Sequence, residues 1–192
     1  QAESVVIASG GLSIPTLGGS AIGYEIAKHY GHHIFPTRAG LVPFTFSDGF
    51  KEVTTRLSGN SVEATLSNDL NSFTEALLFT HRGLSGPSSL QLSNYWDVGQ
   101  SFKIDFLPSV DLKDFLINKK KSQPKVLLRT LLTELLPKSV VLELQNLIWL
   151  DQADTAIGNI SDEKLELIAS RLNGFDVKPS GTEGYRTAEV TL

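Results

Sequence analysis

The sequence predicts an α+β protein. An antiparallel sheet or partial barrel is expected over residues 35–109 and 174–192, a small helical bundle over 110–173, and a single strand–helix unit over 1–34. Three observations lead there. From Phe35 to Leu107 the chain runs in short β-rich stretches punctuated by turn signals. After Pro108 leucines recur in pairs at helical spacing, as in Leu127-Leu128, Leu131-Leu132 and Leu135-Leu136. At Phe175 the texture returns to strand, so the helices interrupt the β-rich part rather than follow it.

The elements follow in order. Glu3–Gly11 is a β-branched apolar run ending in small residues, read as a buried, parallel-type strand that needs neighbours on both sides. Ala21–Tyr30 carries Ile22, Ile26, Ala27 and Tyr30 on one face and ends at Gly31, predicting a helix. Leu41–Phe46, Lys51–Leu57 and Ser61–Leu66 are read as strands separated by Ser47-Asp48-Gly49 and Ser58-Gly59-Asn60. Glu75–Thr80 and Ser101–Phe106 continue the series, with Ser85-Gly86-Pro87 opening a helix over 88–96 between them. In the helical part, Asp111–Asn118 precedes a basic hinge, Lys119-Lys120-Lys121, and helices are expected over 124–136 and 138–150. Ser161 is a good N-cap for a helix running to Leu172 and stopped by Asn173-Gly174. Phe175–Lys178 and Tyr185–Leu192 are read as strands.

Composition excludes several classes. The 192 residues carry a net charge of −4, with 41% hydrophobic and 20% charged residues, an ordinary globular balance too apolar for disorder. Mild acidity gives no reason to expect nucleic acid or an anionic membrane as partner. The absence of cysteine excludes disulfides, thiolate metal sites and a redox dithiol. No apolar run reaches the roughly 18 residues of a membrane span. Methionine is absent even at position 1, which predicts an excised or processed chain.

Few residues carry chemistry. Gly10-Gly11 after an apolar strand reads either as a tight turn or as a close approach of backbone to ligand. Gly18-Gly19-Ser20 stands at a helix start, where free N–H groups either cradle an anion or are capped internally. Thr80-His81-Arg82-Gly83-Leu84-Ser85-Gly86-Pro87 is the densest polar cluster, a strand–helix bend or a set of donors aimed at one ligand. His29, His32 and His33 lack a carboxylate cluster, and Gly31 breaks the helix between them, so no metal site is expected. No Gly-x-Ser-x-Gly elbow surrounds a serine.

Val6-Ile7-Ala8-Ser9-Gly10-Gly11-Leu12-Ser13-Ile14-Pro15, Gly23–Ala27 and Gly31-His32 resemble the YhiN/BaiN-type FAD-binding flavoproteins. So do Leu41-Val42-Pro43, Leu78–Pro87, Gly184-Tyr185 and Thr187–Thr191, in the same order. The resemblance implies a chain roughly half as long as a full member. It would hold a remnant of the FAD-binding domain (1–34), then a β-rich insert subdomain (35–109 and 174–192) enclosing a helical one (110–173). It implies that Ser9, Gly10, Gly11, Gly18, Gly19, Ser20 and Gly23 lie along the flavin, with Ser9 in place of the family's threonine. Ile22 stands where an aspartate is expected. His81 and Arg82 become the candidates for contact with substrate or flavin.

The expected function is the flavin-covering insert of a cytoplasmic FAD-dependent oxidoreductase, inactive when isolated. Its partners would be the rest of the FAD-binding domain, a small-molecule substrate and NAD(P)H. The alternative is a protein-interaction module with no catalytic role, recruited through the leucine stripes.

Overall fold

The computed structural model describes residues 2–192; Gln1, counted in the N-terminal unit, lies outside the described residues. The expected α+β class holds. Seven strands form one antiparallel sheet in the order β7-β6-β3-β4-β5-β2-β8: β2 Phe44–Thr45, β3 Ser61–Ser67, β4 Ser72–Thr80, β5 Gly83–Ser85, β6 Phe102–Asp105, β7 Phe175–Val177 and β8 Gly181–Thr182. The edge strands β7 and β8 are joined by residues 178–180 alone. Four residue steps reach at most about 14 Å, whereas the edges of seven flat strands would stand roughly 29 Å apart. The sheet therefore curls into an open, partial barrel.

Alternation builds its lining. Along β3, Val62, Ala64 and Leu66 are buried between exposed or half-exposed neighbours. Phe44, Phe79, Phe102 and Ile104 come from other strands to the same interior, and helix α3 (Pro87–Ser93) lies against β3 and β4. The helical part continues this core without a break, through Leu116, Leu131, Leu132, Val141, Trp149 and Leu165. Its helices are α4 Leu112–Ser122, α5 Leu128–Leu132, α6 Lys138–Ile148 and α7 Asp162–Leu172.

Several elements differ from expectation. Lys51–Leu57 is not a strand but belongs to helix α2, Gly49–Arg56. Asp48 caps it by accepting from the Phe50 N–H, and Val53 and Leu57 fall one helical turn apart on the buried side. The threonines that suggest a strand instead donate Oγ1–H back to the Lys51 carbonyl, at 3.0 Å from Thr54 and 2.7 Å from Thr55. The lysines 119–121 are no hinge. They form the last turn of α4, where cations suit the negative end of the helix dipole.

The helix expected over 124–136 shrinks to α5 because the preceding backbone pairs elsewhere: Ile157 N–H donates to the Val126 carbonyl and Gly158 N–H to that of Pro124. Of Leu41–Phe46 only β2 forms, because Pro43 lacks a donor and Leu41 takes a left-handed φ of 46°; β1, Ala39–Gly40, lies just before the expected strand. Tyr185–Leu192 keeps only β9, Val190–Thr191. Residues 3–11 pair with no strand, and Val5 and Val6 are 78% and 86% exposed. A parallel-type strand needs flanking partners, and the described residues supply none. The N-terminal helix, α1 Ile22–His29, forms where expected and buries no residue.

Candidate functional site

Two regions converge on the segment 183–191. The first is the glycine-rich turn. The Leu12 N–H donates to Thr191 Oγ1 at 2.9 Å, Ser13 Oγ lies 3.0 Å from the same hydroxyl, and the Ile14 N–H donates to the Tyr185 carbonyl at 2.8 Å. Ile14 is held at φ 50°, a costly conformation for a β-branched residue, so the bend is set by these contacts and not by preference.

The candidate residues of this turn do different jobs. A Cβ on Gly11 would meet Thr191 Oγ1 at 2.6 Å, on Gly19 the Ser13 carbonyl oxygen at 2.2 Å, and on Gly23 the Ser9 Oγ at 2.6 Å. These three glycines let the chain pack on itself. Gly18 closes the turn at 15–17 with φ 101°, its N–H donating to Pro15. The Ser20 N–H donates to Gly11. Gly10 differs: its φ is 73° and nothing stands within 4 Å of the missing Cβ. No N–H of Ser9, Gly10 or Gly11 donates a hydrogen bond among the described residues.

A hollow of about 420 Å³ lies beside them, lined by Ile7, Ser9, Gly10, Gly23, Tyr24 and Ile34. Ala21 at the N-cap of α1 offers no side-chain acceptor, so the first-turn donors of that helix are open as well. Free donors, a left-handed glycine facing open space and an apolar hollow form a surface suited to an extended anionic ligand with a flat apolar part. It is a one-sided surface, not an enclosed pocket.

The second region is the β4–β5 turn. Thr80 Oγ1 accepts from the N–H groups of Arg82 and Gly83, at 3.3 and 3.1 Å, and fixes the bend. A Cβ on Gly83 would meet the Phe44 carbonyl oxygen at 2.2 Å, so only glycine lets β5 reach β2 here. His81 is exposed, its carbonyl accepting from Thr55 Oγ1. Arg82 turns back to the sheet, its Nη1 lying 3.5 Å from Glu183 Oε2, and Arg186 Nη2 reaches the same oxygen at 3.2 Å. Glu183 and Arg186 escaped the sequence reading. Only their place beside Gly184-Tyr185 could have pointed to them.

The histidines of the N-terminal unit do not gather. His29 and His33 lie edge-on to Tyr30 and Phe35, and no group of three His, Cys, Asp or Glu side chains converges among the described residues. No helix of the described residues is long and apolar enough to cross a membrane.

The chain is 42% identical to a ribosomal RNA dihydrouridine synthase of Haemophilus influenzae over 196 alignment positions, which take in 100% of this chain and 47% of that protein. It is 45% identical to the Escherichia coli protein of the same name over 191 residues, 99% of this chain and 47% of that one. The chain thus spans about half the length of the curated relatives it matches. Residues 38–190 match the family described as the HI0933-like protein barrel and H2TH domain, and the chain belongs to that family.

Proposed function

We propose that this chain is the insert of a FAD-dependent ribosomal RNA dihydrouridine synthase, the part that covers the flavin and shapes the substrate site. One observation carries the insert reading. The chain enters the barrel through β1 and leaves it through β9, and these two strands pair antiparallel, Ala39 opposite Thr191 and Gly40 opposite Val190. Mutual hydrogen bonds between Arg38 and Leu192 extend the ribbon. Entry and exit side by side are what a domain inserted into a loop of a parent fold requires.

The named relatives supply the reaction. Their similarity moves the expected substrate from a small molecule to a uridine within RNA. Making dihydrouridine adds one hydride and one proton across the pyrimidine C=C bond. When bound, a flavin would supply the hydride, with NAD(P)H as the electron source. The backbone donors at Ser9, Gly10 and Gly11, the open start of α1 and the hollow beside Tyr24 would hold part of that flavin. Gly11, Gly18, Gly19, Ser20 and Gly23 keep the turn in shape. His81 and Arg82 stand at the turn facing substrate or flavin. The protein works in the cytoplasm, bound to the remainder of its FAD-binding domain.

Visible absorption spectra of this chain and of the intact protein provide the test. The intact protein is expected to be yellow and to restore dihydrouridine to rRNA from a strain lacking the gene, and the short chain to be colourless. An intact protein that neither takes up FAD nor restores dihydrouridine overturns the proposal. Within it, replacing both His81 and Arg82 by Ala is expected to lower turnover at least tenfold; an unchanged flavin spectrum and unchanged turnover remove them from the site.

A further inference from the structure

The geometry points to a phosphate-binding fork made by Arg82 and Arg186 on the shared carboxylate of Glu183. Both guanidinium groups address one oxygen, Glu183 Oε2, at 3.5 and 3.2 Å. One carboxylate facing two guanidiniums leaves the cluster with a charge of about +1, and each arginine's five donors are barely engaged. Burial is graded in the matching sense. The Glu183 side chain is 11% exposed, and those of Arg82 and Arg186 are 40% and 56% exposed. The anion of the protein sits behind and the cations in front.

Stability does not account for the second arginine. A surface ion pair contributes about 0–1 kcal/mol, and one guanidinium would neutralise Glu183. The fork is also built before any ligand arrives. Arg82 is pinned at both ends of its peptide, its N–H donating to Thr80 Oγ1 and its carbonyl accepting from the Phe46 N–H. The Glu183 N–H donates to the Pro43 carbonyl at 3.0 Å. Planar donors held in place suit the oxygens of a phosphate, and a preorganised pair gives up little side-chain freedom on binding.

The next turn fixes where the fork lies. Tyr185, between Glu183 and Arg186, accepts from the Ile14 N–H, so the fork adjoins the glycine-rich turn. The same segment holds two buried hydroxyls without partners among the described residues, Tyr185 OH and Thr187 Oγ1. The ligand is a phosphate group, from the RNA backbone or from the flavin dinucleotide, and this choice of sources rests on the function proposed above.

Inorganic pyrophosphate titrated into the intact protein, with the arginine Nε–Hε resonances followed by NMR, tests the fork directly. Saturable shifts of Arg82 and Arg186 are expected, with binding about tenfold weaker in Arg82→Lys and Arg186→Lys, which keep the charge but lose the planar donors. Unsaturable shifts, or equal binding by folded lysine variants, overturn it.

Two further arms name the source. If the phosphate is RNA's, Arg82→Ala and Arg186→Ala each reduce the salt dependence of rRNA-fragment binding by about one unit of slope and leave FAD affinity unchanged. If it is the flavin's, FAD affinity falls and the RNA slope stays. Pyrophosphate binding that needs both arginines, in a protein that takes up neither RNA nor FAD, sinks the proposed function and keeps the fork. A wild-type protein that forms dihydrouridine without saturable pyrophosphate binding does the reverse.

Discussion

Phe44 shows what single residues contribute. Its ring is fully buried, edge-on to Trp96 at 5.2 Å and tilted against Phe102 at 4.8 Å, where β2, β6 and the end of α3 meet. Phe44→Ala is expected to lower unfolding free energy by about 3–5 kcal/mol, read from the urea midpoint at unchanged slope. At this scale the sequence was only half legible. Glycine at 10, 11, 18, 19 and 23 marks a turn in the sequence, but not why each position needs glycine. Gly11, Gly19 and Gly23 answer to atoms of Thr191, Ser13 and Ser9, and Gly10 to open space. One letter covers both reasons, and only contacts separate them. Arg82 stood out beside two glycines. Its partner Glu183 lies 101 residues away, beyond the reach of any local pattern.

Among elements, α7 combines a cap with titrating groups. Ser161 Oγ accepts from the Lys164 N–H at 3.2 Å, and Ser161→Ala is expected to cost about 1 kcal/mol in thermal or urea unfolding. Hydrogen bonding to its own backbone N–H, and then to Ser161, holds the Glu163 carboxyl below its ordinary 4.5. The Lys164 ammonium bonded to Asp151 holds that carboxyl below 3.8. Both acids are more readily ionised folded than unfolded. Their contribution is therefore complete above about pH 5 and disappears as pH falls through the lowered folded values. Stability measured from pH 6 down to pH 3 should decline, and decline less steeply in Asp151→Asn; parallel curves would show that the Asp151–Lys164 contact is not maintained in solution. Element type was legible where period was clean, as in β3, α6 and α7. It failed at 49–56, where threonines suggest extension while their hydroxyls satisfy a helix, and at 119–121, where charge suggested a hinge in a helix already stabilised by those lysines.

At the scale of the molecule, order is unevenly distributed. Strands β2 to β7 share one core with helices α2 to α7, whereas α1 and the turn at 15–17 bury nothing. Hydrogen exchange on this chain should find β3 and β4 the slowest amides and residues 3–10 unprotected. In the intact protein residues 5–7 should become protected as flanking strands are supplied. Unchanged exchange there would separate this segment from any parent sheet. The run at 3–11 has the composition of a strand but forms none here, because a strand is a property of its neighbours as much as of its own residues.

The paired ribbon of β1 and β9 also bears on how such a protein is assembled over generations. Partners in an antiparallel ladder stand about 5 Å apart at their Cα atoms. Removing everything between them therefore leaves a gap that a two-residue hairpin turn bridges. As the proposed insert, the barrel and its helices would form a detachable cassette: a host that tolerates a tight turn at that point would tolerate the whole graft, and could exchange it without redrawing its own sheet.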